Sequence, residues 1–269
     1  MTATPHPEAA DDELLTERRG PVEWIIFNRP QARNALTWNM YDRLVAACEN
    51  VNANREVRAV VFTGAGGEAF VAGTDISQFR NFKTERDALD YEAKGNMVMS
   101  TVESLRVPAI AAIAGPCTGA GAAIANCCDI RIGSRSARYG FPIARTLGNC
   151  LSMPNYARAA ALIGIARVKD LIMRARLMNA EEMLACGLLA EVTADEDSLL
   201  PRAQELAEEM ASYAPLTLWA TKEALRRVRD QLIPEGSDSD LIVACYMSDD
   251  FREGVESFLA KRKPKWKDH

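Results

Sequence analysis

The stretch AGPCTGAGAAIANCCDI, residues 114–130, decides how the chain is read. It leaves the apolar run PAIAAIAG (108–115), passes through Gly119, Ala120 and Gly121, and meets no charge until Asp129. Side chains cut back to a hydrogen or a methyl let another group approach the backbone closely. Three kinds of group would use such an opening. A dinucleotide needs a third glycine or alanine where this chain has Ile124, a first glycine close behind the strand, and an acid about twenty positions on; here the loop is too long and the acid is missing. Tight helix-on-strand packing is the second reading. The third is an oxygen that gains negative charge, because the unpaired N–H groups and dipole of a helix's first turn make an anion site. A second N–H from another loop would complete an oxyanion hole. FVAGTDI (70–76) offers that loop, with Gly73 and Thr74 following a strand in another small-residue turn.

Working outward, VEWIIFN (22–28) reads as a strand, and a helix follows Asn34. VRAVVFTG (57–64) is almost wholly apolar, as expected of a strand covered on both faces. A glycine-rich turn, GAGGEAFVAGTDI, leads into a charged, poorly periodic stretch from Gln78 to Ala93, then a helix over 94–105 and a third strand over 108–115. Strand and helix alternating at this spacing predict parallel βα units with right-handed crossovers. The remainder is helical. SMPNYARAAALIGIARVKDLIMRA carries helical spacing broken at Gly164, and NAEEMLACGLLAEV predicts a helix capped at Asn179, ending near Gly187 and leading into a short strand. Three helices follow, over 199–212, 215–230 and 237–260, with apolar stripes that include Leu216, Trp219 and Leu225. The expected division is a core over 1–198, with 1–12 a disordered leader, and a helical region over 199–269.

Composition excludes several classes. A net charge of -5 argues against a nucleic-acid partner, which would need a basic face. No apolar run suits a bilayer and the acidic start lacks the order of a signal peptide, so no membrane partner and a cytoplasmic location are expected. Seven scattered cysteines without zinc spacing are expected to be reduced and mostly buried, and no metal is expected. The only histidines are His6 and His269, which leaves no Ser/His or Cys/His pair for the core.

FNRPQARNAL, AFVAGTDISQF, PAIAAIAGPCTGAGAAIANCCDIRIGS and SDDFREGVESFLAKRKPKWKDH, taken in order, resemble the signature segments of the crotonase superfamily (the enoyl-CoA hydratase/isomerase family) from about residue 15 to 269. The resemblance implies an α/β fold, a crotonase-like spiral of ββα units with a C-terminal helical trimerisation region, assembled as a homotrimer or a hexamer of two trimers. It implies an acyl-CoA thioester as partner, with coenzyme A part of the substrate and no separate cofactor. The catalytic N–H donors carry over to Thr74 and Ala120, and the coenzyme-lining stretch to Ala32 and Arg33, faced by Ala72, Asp75 and Ile76. Arg33 reads either as a phosphate contact or as a solvated loop cation, and the basic ending KRKPKWK offers the same two readings.

The resemblance breaks at two points. Hydratases of the family use two glutamates, since water adds to one carbon while a proton reaches the next. Their positions fall on Ala123 and Ile143, and no register of FPIARTLGNCLSM supplies a carboxylate. Arg145 and Thr146 are the substrate-binding candidates there, Arg145 suiting an acidic acyl group, with Asn149, Cys150 and Ser152 as further polar neighbours. Asp75 is the nearest carboxylate, expected mainly to shape its loop, while Tyr91, Glu92 and Glu103 would enter the pocket only if their segment folds inward. The expected activity is a lyase or isomerase reaction on a CoA thioester that passes through a stabilised enolate. A non-catalytic acyl-CoA binder, an isomerase, a decarboxylase and a thioester hydrolase are the alternatives.

Overall fold

The computed structural model describes residues 13–233 and 238–267, so the expected leader over 1–12 lies outside the described residues. After a first antiparallel pair in one sheet, the chain winds as repeated turns, each sending one strand to each of two sheets. The large sheet runs in the order β1 (Leu14–Arg19), β2 (Val22–Phe27), β3 (Ala59–Gly64), β5 (Ala109–Ile113), β7 (Ile130–Gly133) and β10 (Glu191–Val192). The small sheet is β4 (Val71–Ala72), β6 (Pro116–Thr118), β8 (Arg138–Gly140) and β9 (Met178–Asn179). Among the described residues only the β1–β2 and β8–β9 pairs are antiparallel. The remaining pairs are parallel, as the βα alternation requires.

Helices close each turn. They are α1 (Trp38–Ala53), α2 (Glu85–Glu103), α3 (Ala120–Cys127), the short α4 (Ile143–Thr146), α5 (Met153–Ile163), α6 (Ile165–Met173) and α7 (Ala180–Ala185). The large sheet is buried on both faces, which explains the unbroken apolar run in β3. Ile25, Phe27, Val60 and Phe62 face the interior under α1 to α3, while Val22, Trp24, Val61 and Ile110 face α8 (Leu199–Ala211) through Leu199, Ala203 and Ala207. The Trp24 indole N–H donates to Gln204 Oε1 at 2.7 Å, satisfying the one polar atom that this ring brings into the core.

Three boundaries differ from the expectation. An edge strand, β1, precedes the first predicted one; its outward side chains are mostly exposed, so it carries no apolar signal. Helix α2 begins at Glu85 rather than 94, because Thr84 and Asp87 form a capping box that starts it inside the charged stretch. The last predicted helix is two, α10 (Ser239–Tyr246) and α11 (Asp249–Leu259), separated where the Ser248 hydroxyl accepts from Phe251 N at 3.0 Å. Helix α9 (Pro215–Asp230) lies between α8 and α10 in sequence and buries none of its residues. All seven cysteines are free, with Cys48, Cys117, Cys127 and Cys128 buried and Cys150, Cys186 and Cys245 half-buried. No helix among the described residues is long and apolar enough to cross a membrane.

Helix α3 packs directly against the backbone of β4. A methyl added at Gly121 would stand 2.1 Å from the Val71 carbonyl oxygen, whereas one added at Gly95, on α2, would meet nothing. Gly121→Ala is therefore expected to destabilise by at least about 1–3 kcal/mol through overpacking against backbone. Gly95→Ala is expected to stabilise by about 0.5–1 kcal/mol. Urea unfolding of both variants checks the contrast, and similar midpoints for the two would refute it.

Candidate active site

Two glycine turns meet at the end of the small sheet. Parallel pairing of Val71 with Cys117 and Ala72 with Thr118 brings Gly73 beside Gly119, both with positive φ (97° and 54°). A Cβ built on Gly119 would stand 3.4 Å from the Gly73 Cα, so the turns touch through backbone. The residues that follow these two glycines are Thr74 and Ala120. Ala120 is the first residue of α3, where a helix has no intrahelical acceptor for its N–H. Among the described residues neither the Thr74 nor the Ala120 N–H has a backbone acceptor. Both residues line a cavity of about 790 Å³.

A buried asparagine holds the neighbouring turn. Asn34, with φ of 58° and no exposed surface, donates from Nδ2 to the carbonyls of Ala65 (3.1 Å) and Ala69 (2.8 Å), while its Oδ1 accepts from Arg29 N at 2.9 Å. This clamp sets Ala32 and Arg33 on the cavity wall, and the Arg33 carbonyl accepts from Ala72 N at 3.0 Å. Of the residues singled out in the sequence, Thr74, Ala120, Ala32, Arg33, Ala72, Asp75, Ile76, Ile143 and Thr146 all line this cavity, as does Ala123. Arg145 is exposed on α4 and does not line it. From the basic ending, Lys261 reaches the same cavity, whereas Arg262 pairs with Glu253.

Asp75 is occupied. Its Oδ1 accepts from the Ser77 N–H and hydroxyl, and its Oδ2 accepts from Arg29 at 3.1 Å. Partial burial pushes its carboxyl up, but the hydrogen bonds from Ser77 and Arg29 outweigh it and hold the group below the usual aspartate range. It therefore stays ionised and serves the turn.

The inner wall comes from α1, α2 and α10, with the segment of Tyr91 and Glu92 folded inward so that both line the cavity and Glu103 does not. Thr74 Oγ1 lies 2.8 Å from Tyr41 Oη and 3.2 Å from Tyr91 Oη. Tyr91 packs among Phe79, Phe82 and Tyr246, rings from the 3-10 turn Ile76–Asn81 and its end, and from α10. Glu92, beside it on α2, is 8% exposed and lines the cavity. Tyr246 Oη donates to Glu92 Oε1 at 2.5 Å and accepts from Asn149 Nδ2 at 3.1 Å. The Ser152 hydroxyl is buried and lies 2.6 Å from Asn96 Oδ1. Burial raises the Glu92 carboxyl to about 7, the charge of Asp238 adding to the effect while hydrogen bonds from Tyr246 and Ser152 oppose it. A helical period with few apolar residues gave no sign of this burial; the one legible hint was a tyrosine–glutamate pair in an otherwise surface-like segment.

A family profile described as enoyl-CoA hydratase/isomerase matches residues 17–269. The chain is 33% identical over 254 residues to the short-chain-enoyl-CoA hydratase of Clostridium acetobutylicum, covering 94% of this chain and 96% of that protein. It is 36% identical over 259 residues to a probable enoyl-CoA hydratase of Rhizobium meliloti, with 95% and 98% covered. Among solved structures, a methylmalonyl-CoA decarboxylase in complex with 2-nitronate-propionyl-CoA superposes with a TM-score of 0.86 at 25% identity, covering 96% of this chain and 99% of that one.

The Glu92 carboxyl links stability to pH. Its folded-state value lies above the ordinary 4.5, so the native state holds the proton more tightly than the unfolded chain does. The contribution is fully present below about 4.5 and is lost as pH rises through about 7. Wild-type stability measured against Glu92→Gln is expected to decline across that window by up to about 3 kcal/mol, at ~1.4 kcal/mol per unit. Parallel urea titrations at pH 4 and pH 8 that give the same difference would overturn the assignment.

Proposed function

Because the chain belongs to the enoyl-CoA hydratase/isomerase family, we propose that this cavity takes an acyl-CoA thioester and stabilises its enolate through the backbone N–H groups of Thr74 and Ala120. The observation that carries this reading is the register of β4 on β6, which sets two glycine turns in contact and two unpaired N–H groups one residue beyond them. Backbone donors fixed in a walled cavity stabilise developing oxyanion charge without reorganising. Ala32, Arg33, Ala72 and Ile76 line the coenzyme end, where the Arg33 guanidinium suits a phosphate and Asp75 holds the turn. Ile143 and Thr146 line the acyl end.

The route is not hydration by two carboxylates. Ala123 and Ile143, which occupy the two glutamate positions, carry groups that cannot take a proton. Relatives named hydratase and a neighbour named decarboxylase both support a CoA-ester substrate. The chemistry the residues favour is enolate formation without water addition. A non-catalytic binder is the rival reading, favoured by the same two positions.

Assembly belongs to the proposal. Leu216, Trp219, Leu225 and Val228 on α9 are 76%, 48%, 63% and 68% exposed, and such a stripe is suited to a neighbouring subunit in a homotrimer or a hexamer. Sedimentation at micromolar concentration is expected to give a multiple of 29.5 kDa, and a single-chain mass would refute it.

Turnover separates the readings. Mass spectrometry of a panel of acyl-CoA thioesters incubated with the protein is expected to reveal a changed ester, and crotonyl-CoA hydration is expected to stay below the typical enzyme rate of about 10 per second. A binder would hold thioesters and leave every one unchanged. Replacing Ala120 with proline removes the donor at a helix position that tolerates the ring, so the fold is expected to persist. Rate is expected to fall about 10²- to 10³-fold, as for a lost oxyanion donor. An Ala120→Pro variant with wild-type turnover would sink the proposal.

A further inference from the structure

Two acids on α2 are withdrawn from water, one half-buried and one buried, and among the described residues only the half-buried one has cationic partners. Glu103, also on α2, is held by Arg158 and Arg229. Glu92 is buried to 8% exposure, faces the cavity, and has no ion pair among the described residues. A carboxylate withdrawn from water without a cation is expensive, so a position that keeps one in a cavity is a candidate for chemistry. The surroundings orient it. Asn149 donates to Tyr246, Tyr246 donates to Glu92 Oε1, and Asn149 also carries a buried Oδ1 with no partner. Tyr91 links this end of the cavity to the glycine turns, since its hydroxyl meets Thr74 Oγ1 and its ring packs 5.9 Å from that of Tyr246.

We propose that Glu92 is the general base of this site, taking a proton from the α-carbon of the bound thioester and returning it to the same carbon or to one conjugated with it. The inference rests on the thioester reading given above. In the forward step the α C–H bond breaks, its electron pair becomes the C=C bond of the enolate, the charge settles on the carbonyl oxygen facing the Thr74 and Ala120 N–H groups, and the proton binds a Glu92 oxygen. Reprotonation reverses each change, and return to the γ-carbon of an unsaturated ester moves the double bond. No water, oxidant or second acid is consumed. One proton carrier suffices for α-exchange and double-bond migration, whereas hydration needs two.

A value near 7 suits a base that must both take and return a proton at neutral pH. The titratable and charged groups around it are Tyr41 on α1, Tyr91 on α2, Cys150 in the loop between α4 and α5, Tyr156 on α5, and Asp238, Cys245 and Tyr246 at α10. Burial raises all three of Tyr41, Tyr91 and Tyr246, which leaves them neutral donors in this range.

The test is deuterium uptake from D₂O at the α-carbon of butyryl-CoA, read by mass spectrometry, with butyryl-CoA binding and thermal unfolding measured beside it. Wild type is expected to exchange, with a rate that rises through about pH 7 and then levels. Glu92→Gln keeps an acceptor for Tyr246 and is expected to bind butyryl-CoA within about threefold of wild type while losing about 10²- to 10⁴-fold in exchange. Equal exchange by the variant, or a wild-type profile without a step near neutrality, overturns the assignment and leaves the Thr74–Ala120 reading standing. Wild type that neither binds nor exchanges overturns both. If Glu92→Gln unfolds, the wild-type pH profile and Glu92→Asp decide, the latter being expected to keep the step with a reduced rate.

Discussion

The site depends on one contact between two pieces of backbone. Gly73 and Gly119 lie side by side because β4 and β6 pair in parallel, and both turn through positive φ, where a side chain would be strained. Strands of two and three residues cannot hold such a register alone. It is fixed from outside: Gly121 lets α3 settle directly on the Val71 carbonyl, and Asn34 ties its own turn to the carbonyls of Ala65 and Ala69. The large sheet, buried on both faces, supplies the rigid base from which these short strands project.

The inner end of the cavity is built by a different part of the sequence. Helices α10 and α11 pack over α2 and the 3-10 turn after Asp75, and the aromatic rings of Phe79, Phe82, Tyr91, Tyr246 and Phe251 meet there at centroid distances of 4.8 to 6.5 Å. Edge-to-face and tilted pairs of this kind fill space while leaving tyrosine hydroxyls at the margin. The hydroxyls of Tyr41 and Tyr91 go to Thr74, and that of Tyr246 to Glu92. The C-terminal helices therefore set the polarity of the pocket as well as closing it. Helix α9 has no buried residue and stays uncovered among the described residues.

Local features were legible in the sequence, and long-range ones were not. The glycine turns, the doubly buried strand and the Asn179 cap each follow from neighbours a few positions away; the turns and the cap are found where the sequence put them, and the strand expected over 57–64 starts two residues later, at Ala59. Residues of both turns, together with Ala32, Arg33, Ile143 and Thr146, line one cavity. Glu92 was harder to see because its burial is made by Tyr246, 154 positions away, and by the segment around Asn149. The start of α2 was hidden for a lesser reason. Its first turns are charged and exposed, so apolar periodicity fails there although the Thr84–Asp87 cap was readable. Arg145 shows the converse: a cation in the right stretch of sequence can turn to solvent on a four-residue helix.

Two carboxylates line the cavity, and their surroundings push them apart. Asp75 receives hydrogen bonds from Ser77 and a guanidinium from Arg29, so charge is favoured and its proton is held weakly. Glu92 is buried and faces the charge of Asp238, which together outweigh the hydrogen bonds from Tyr246 and Ser152, so its proton is held strongly. Environments that separate acids in this way also separate what the acids can do. An ionised group tied into a turn fixes geometry; a group near neutrality in a cavity can carry a proton in either direction. On the proposed reading, the chain has dropped both glutamates of the oxyanion-helix side and retains a single proton carrier on α2. A pocket so arranged would still gather enolate charge on backbone N–H groups, but its second carboxylate, Asp75, is tied to Ser77 and Arg29 and is not free to activate water, and that restricts it to reactions in which one proton leaves and one returns.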